Sequence, residues 1–450
     1  MVILAAVVTL AVLGTISHTA THDAQFDAGS PVVGAARTQT AATQTVRQPT
    51  PPPLTAAGRR PPVTAAEVHL QQALTGNLRA GGPVAGALVY DLSAKTELFA
   101  LHPTVGRPPA SVEKLWTTAA VLDKLGPDTR LHTTILGTGS LHNGVWHGNL
   151  YLRGGGDPTF GDQEFNQVWN HGYGPTPNQL VSQLAAHGIH RVTGQVYADE
   201  SLFDRRRGGL ITNYAQDIPD FGGQLSALVY DHGTALKHYS PATFAAHQLV
   251  LTMRGMGIQA KASPHDAKTP GNARLLAIVS SPPMSVMLRL MDVPSDDLFA
   301  ELFTKQLGVL FGRGGTIADG ARVISQTIAD TYGLHPRILD GSGLSRNDRS
   351  SPLDIVDLLR EIWQTRVGRE LAGALPTVGK EGTVIGIGDK TPASGNCIAK
   401  TGTLNQVTNL AGYCRDRDHH MVAFAFFIDG PWNGDADVLE SRMIGDVAGY

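Results

Sequence analysis

Residues 108–127 read PPASVEKLWTTAAVLDKLGP. After Pro108-Pro109, the apolar residues Val112, Leu115, Trp116, Ala119 and Leu122 recur at the spacing of one helical face, and Gly126-Pro127 stops the pattern. The stretch predicts a buried helix opened by Ser111. Lys114 follows three residues later, which places both side chains on one face of that helix. A serine hydroxyl does not ionise at neutral pH, so a nucleophilic serine needs a base within hydrogen-bond reach. A lysine can serve when burial near another cation lowers its pKa. Ser111 is the one serine of the chain with lysine three residues on. Taken alone, the spacing also fits a helix-capping serine beside an exposed lysine.

Working outward, Lys400-Thr401-Gly402-Thr403 sets a glycine inside a strand of alternating character. The lysine supplies positive charge, the threonine hydroxyls can grip a carboxylate, and the glycine leaves room for a ligand backbone against the strand. An ordinary exposed strand accounts for the lysine and threonines but leaves the glycine unexplained. Asn396 to Leu404, Val407 to Cys414 and Met421 to Ile428 are joined by short polar turns and predict an antiparallel meander. If Thr403 pairs with Thr408 across the first turn, the same register sets Cys397 opposite Cys414, close enough for a disulfide. A slip of one residue would send the thiols to opposite faces and leave a reduced pair packed as small apolar side chains.

Between the helix and the meander the chain changes character twice. From about Gly137 to Ile278, short strand patterns (Leu150 to Leu152, Gln195 to Ala198, Gln248 to Met253) are punctuated by glycine, proline and histidine. From Val286 the helical pattern returns, with Leu298, Phe299, Leu302, Phe303 and Leu307 on one face and Ser351-Pro352 opening a helix over Ile355 to Trp363. Upstream, Ala65 to Leu74 predicts a helix, and Gly86 to Tyr90 with Glu97 to Leu101 a hairpin. This order predicts an α/β domain, residues 63–140 and 280–450, interrupted by a β-rich inserted domain, residues 141–279. Residues 1–16 carry an uncharged apolar run suited to a signal peptide or membrane anchor, and residues 17–62, rich in Pro, Thr and Ala, an extended tether.

Composition removes other classes. The chain has 450 residues, 42% of them apolar and 17% charged, which excludes collagen, coiled coil and wholesale disorder. With 36 basic and 39 acidic residues the formal net charge is -3, so no global field draws phosphate backbones, and nucleic acid is not an expected partner. Two cysteines cannot build a four-cysteine zinc site, and the 17 histidines include no His-Glu-x-x-His spacing, so no metal is expected.

The pair Ser-x-x-Lys and Lys-Thr-Gly resembles the serine penicillin-binding proteins and β-lactamases. Gly154-Gly155-Gly156-Asp157-Pro158-Thr159, Ser280 to Pro283, Asp340-Gly341-Ser342-Gly343-Leu344-Ser345 and Asn409 to Tyr413 extend the likeness from about Ala65 to Gly430. They bring it closest to the D-alanyl-D-alanine carboxypeptidase/endopeptidase family of low-molecular-mass penicillin-binding proteins. The resemblance implies a penicillin-binding-protein/β-lactamase-like transpeptidase domain, an antiparallel sheet flanked by helices. It implies an extracytoplasmic protein of the cell envelope, secreted or tethered to the membrane through its N-terminus. Its substrates would be peptidoglycan stem peptides, its covalent inhibitors β-lactams, and it would need no cofactor.

Residue by residue, the resemblance makes Ser111 the nucleophile and Lys114 its base, with the oxyanion held by the N–H groups of Ser111 and Thr403. Lys400, Thr401, Gly402, Thr403 and Asn405 would line the substrate's carboxylate end. The family's third element, Ser-x-Asn, precedes an Ala-Glu pair on a helix and so falls at Ser295-Asp296-Asp297, with Ser295 relaying a proton to the leaving amine. Ser345-Arg346-Asn347 matches the short pattern literally, but lies in the Asp-Gly-Ser-Gly-Leu-Ser segment. As a substrate-facing residue Asp297 departs from the family's asparagine: an ionised aspartate only accepts hydrogen bonds and adds negative charge beside Ser111 and Lys114. That departure supports an alternative, a catalytically weakened peptidoglycan-binding protein of the same fold. Asp217, with Asp220 and Phe221, falls where the resemblance implies a pocket wall for the substrate's side-chain amino group.

Overall fold

A computed structural model describes residues 64–208, 223–234, 239–261, 263–430 and 433–450, all within a unit that runs from Pro62 to Tyr450. The N-terminal run and tether, residues 1–62, and Asp217, Asp220 and Phe221 lie outside the described residues. The chain opens with α1 (Ala65–Ala80), the hairpin β1 (Gly86–Asp91) and β2 (Thr96–Leu101), a 3-10 turn (Ala110–Glu113) and α2 (Lys114–Leu125). Then follow β3 (His132–His142), β4 (Val145–Arg153), α3 (Gln163–Trp169), α4 (Pro177–Ala186), β5 (Arg191–Val192), β6 (Val196–Asp199), α5 (Pro241–Gly255), β7 (His265–Asp266) and β8 (Arg274–Ser280). The helices α6 (Met284–Asp292), α7 (Asp297–Phe311), α8 (Ile317–Tyr332), α9 (Pro352–Ile362) and α10 (Arg366–Ala374) come next. The last elements are a second 3-10 turn (Gly382–Val384), the strands β9 (Cys397–Leu404), β10 (Val407–Arg415) and β11 (Met421–Asp429), and α11 (Asn433–Ala448).

The hairpin and the meander join into one five-stranded sheet in the order β2-β1-β11-β10-β9, antiparallel at each pairing. Both faces are covered, and the period of two along β11 shows how. Phe424, Phe426 and Ile428 pack with Leu74 and Leu78 of α1 and Met443 and Ile444 of α11, whereas Ala423, Ala425 and Phe427 pack toward α2 and the helices α6 to α10. Thr403 pairs with Thr408 and Cys397 with Cys414, and the two cysteines form a disulfide that pins the edge strand to its neighbour. The turn after β10 is tied back to β1 by His420 Nδ1 and Asp91 Oδ2, 2.8 Å apart.

Residues 132–280 build the second sheet, in the order β7-β6-β4-β3-β8 with β5 beside β4. Its entry and exit strands are hydrogen-bonded partners, His132 opposite Ser280. One sequence expectation here is wrong: Gln248 to Met253 is not a strand but the end of the helix α5. The apolar run Leu249-Val250-Leu251 imitates a strand, but Phe244, Ala245, Leu249 and Met253 bury one helical face, and Ser240 caps the start ahead of Pro241 at the first turn. The Ser351-Pro352 expectation holds: Ser351 and Asp354 exchange the two hydrogen bonds of a capping box at the start of α9.

Candidate active site

Ser111 does not cap α2. It sits in the 3-10 turn that precedes the helix, and the residue at the helix N-cap is Glu113. The turn is held open by Ala110, whose φ of 48° lies in the left-handed region that costs a residue with a Cβ about 1–3 kcal/mol. Asn409, a polar residue inside the apolar strand β10, anchors it by donating from Nδ2 to the carbonyls of Pro108 and Pro109, each at 2.9 Å. Gly402 matters here for a reason the sequence does not show. A Cβ at that position would lie 2.4 Å from Pro109 O and 3.0 Å from Val112 N, so the glycine admits the nucleophile's own turn against the edge strand.

Lys114 is fully buried, and its ammonium has three acceptors. Nζ donates to Ser111 Oγ at 3.0 Å, to Asp297 Oδ1 at 2.5 Å and to the carbonyl of Ser342 at 2.8 Å. The Ser342 carbonyl is held in turn by buried carboxyls. Glu301 Oε1 accepts from the N–H groups of Gly341 and Ser342, and Asp340 accepts from those of Gly343 and Ser345. Ser345 itself is buried, its Oγ accepting from Asn347 N.

Ser295 lies in the turn between α6 and α7, with φ of 65°, a second non-glycine residue in the left-handed region. Its Oγ accepts from Lys400 Nζ at 2.7 Å, and Lys400 also donates to the Thr401 carbonyl at 3.1 Å. Asp296, not Ser295, caps α7, through Phe299 N. Burial, followed by repulsion from Lys114, pulls the Lys400 pKa down to about 7 against the attraction of Asp292 and Asp297. Burial likewise raises Asp292 to about 7, with Lys400 opposing the shift. Asp297 is raised by burial and held back chiefly by Lys114. Two lysines and two aspartates thus share one buried space.

These groups open on a cavity of about 740 Å³ lined by Ser111, Ser295, Asp297, Thr401, Thr403 and Asn405. The structure therefore brings together the residues expected at Ser111, Lys114, Ser295, Asp297 and 400–405. The same wall holds Leu344, Thr383, Gly386, Ile387 and Asp437, which the sequence reading missed. Thr383 Oγ1 accepts from Thr401 Oγ1 at 2.7 Å, and its backbone N donates to Val293 O. No periodicity marks a loop residue of this kind. Asn409 did leave a trace, as an amide among buried apolar neighbours.

A serine hydrogen-bonded to a buried lysine, facing a second serine and a lysine on a sheet edge, is an arrangement that can support acyl transfer without a histidine. This is the serine D,D-peptidase class, built on the penicillin-binding fold. The chain belongs to the D-Ala-D-Ala carboxypeptidase 3 (S13) family, which it matches over residues 66–237 and 221–448. The D-alanyl-D-alanine carboxypeptidase DacB of Haemophilus influenzae is 26% identical over 408 residues, covering 74% of this chain and 82% of its own. A carboxypeptidase of Mycobacterium tuberculosis is 28% identical over 442 residues, covering 88% of this chain and 90% of its own. In fold the chain is similar to penicillin-binding protein 4 of H. influenzae, with a TM-score of 0.71 at 21% identity over 84% of this chain and 99% of that one. That protein has also been crystallised with a β-lactam.

Proposed function

We propose that this serine D-Ala-D-Ala carboxypeptidase acts on peptidoglycan stem peptides, at a D-Ala-D-Ala end or a D-Ala cross-link, through an acyl-enzyme on Ser111. The observation that carries the reading is the Ser111 Oγ to Lys114 Nζ contact of 3.0 Å at a cleft whose other wall presents Ser295 on Lys400. Ser111 attacks the penultimate D-Ala carbonyl and Lys114 accepts its proton. The N–H groups of Ser111 and Thr403 receive the oxyanion. Lys400, Thr401 and Thr403 take the substrate's terminal carboxylate, with Asn405 at the end of the strand. Ser295, hydrogen-bonded to Lys400, passes a proton to the departing amine.

The same reading treats residues 141–279 as a domain set into the peptidase domain, supported by a hydrophobic core drawn from residues 135–279 and by the pairing of its entry and exit strands. It makes the protein extracytoplasmic, carried or held by residues 1–16. Among the described residues no helix is long and apolar enough to cross a membrane. A fluorescent penicillin is expected to label the protein covalently at Ser111 and to leave Ser111→Ala unlabelled; labelling that survives the substitution removes the assignment. The Lys114–Asp297 contact favours a second reading, a weakened enzyme whose lysine is locked in its charged form. On that reading Asp297→Asn raises D-Ala release from a pentapeptide.

A further inference from the structure

We propose that Asp297 is the terminal proton acceptor of the acylation step, so that Ser111, Lys114 and Asp297 form a relay. The proposal rests on Ser111 being the nucleophile, as read above. Its starting point is the saturation of Lys114: the three hydrogens of its ammonium are matched by Ser111 Oγ, Asp297 Oδ1 and Ser342 O. An ammonium so held can take no further proton, and an asparagine at position 297 could not relieve it. A carboxylate can. Ser111 Oγ, Lys114 Nζ and Asp297 Oδ1 are joined by successive contacts of 3.0 and 2.5 Å, each short enough for proton transfer.

The step balances as follows. As Ser111 Oγ bonds to the substrate's carbonyl carbon, the π electrons of that carbonyl move to its oxygen. Nζ first gives a proton to Asp297 Oδ1, and the lone pair so freed turns to Ser111 and takes the Oγ proton. Lys114 is an ammonium before and after, and the negative charge that leaves Asp297 reappears on the carbonyl oxygen. When the intermediate collapses and the carbon–nitrogen bond breaks, the proton stored on Asp297 returns through Nζ and reaches the expelled amine by way of Ser295, and the carboxylate is restored. Burial, which raises the proton affinity of Asp297, makes the neutral carboxyl accessible in this step. The groups facing the pair are Lys400 of β9, Asp292 at the end of α6, Asp296 at the cap of α7 with its partner His232, and Glu113 and Asp340 beside Lys114.

The sign of the pH dependence follows. Acidification fills the acceptor, so acylation falls on the acid side at the pKa of Asp297. Without Asp297 that acid limb has no carboxylate to set it. The experiment is the rate of acylation by fluorescent penicillin from about pH 4 to about pH 9, with proton inventories in H2O/D2O mixtures. Asp297→Asn is expected to slow acylation at neutral pH by about tenfold or more and to remove the acid limb set by Asp297. The wild type is expected to give a curved inventory, because both the proton handed to Asp297 and the Oγ proton have changed partners by the transition state, and the variant a linear one. A variant acylated as fast as wild type, or faster, overturns the relay, as does a linear wild-type inventory. If the variant fails to fold by its melting curve, the wild-type inventory decides alone. A wild type that takes no label at all overturns the assignment of Ser111 and the relay with it; label on Ser111 with a linear inventory overturns the relay only.

Discussion

Gly402 and Lys400 show what single positions of the edge strand are asked to do. A methyl group on Gly402 would meet the carbonyl of Pro109, so Gly402→Ala must push away the turn that carries Ser111. It is expected to lower stability by about 1–3 kcal/mol and to slow acylation, as read by urea titration and penicillin labelling. Lys400 is pulled down to about 7 by burial and by Lys114. It is cationic below that pH and neutral above it, so a substrate with a free carboxylate is expected to bind more weakly, its KM rising, as pH increases through about 7. Amidating that carboxylate should flatten the profile, and a KM that stays level for the free acid would count against Lys400 as the carboxylate's partner. Ser111, Lys114 and Lys400 were legible because each belongs to a short contiguous pattern. The Ser342 carbonyl was not, because any residue has a carbonyl and only the path of the chain aims this one at Lys114.

At the scale of elements, β9 is the edge strand of its sheet, and on its outer side Pro376 and Val378 bond to its first residues. The Cys397–Cys414 bridge closes a hairpin over a sequence separation of 17 and fixes the strand's start to β10. A loop of this size gives a disulfide worth about 3 kcal/mol, so the double variant Cys397→Ala, Cys414→Ala is expected to lose about that much in urea titration. Hydrogen exchange should rise most in β9, and unchanged protection there would show that packing alone holds the strand. The meander was legible because its turns are short and its register follows from them. Helix α5 was not: within six residues an apolar run fits a strand or a buried helix equally, and the cap at Ser240 lies outside that window.

For the whole molecule, the cleft is a seam. Ser111 belongs to the helical core, Ser295 to the turn between α6 and α7, and 401–403 to the edge of the sheet, so an acyl group on Ser111 held by the strand ties these parts together. Acylation by a β-lactam is therefore expected to raise the melting temperature, by about 1 °C for each kcal/mol of added contact, and Ser111→Ala should abolish the rise. By itself the sequence determined the chemistry and the class of fold: a serine with its lysine, a lysine-threonine-glycine strand and the periodicity of the elements carrying them are local properties that fold wherever their segment folds. Only the tertiary structure showed how the two serines that fit a pattern differ in their surroundings: Ser295 faces Lys400, while Ser345 is buried. It also decided that Asp297 meets Lys114 within 2.5 Å. Proton transfer and ion pairing depend on distance in space, and the positions that make these contacts lie far apart along the chain.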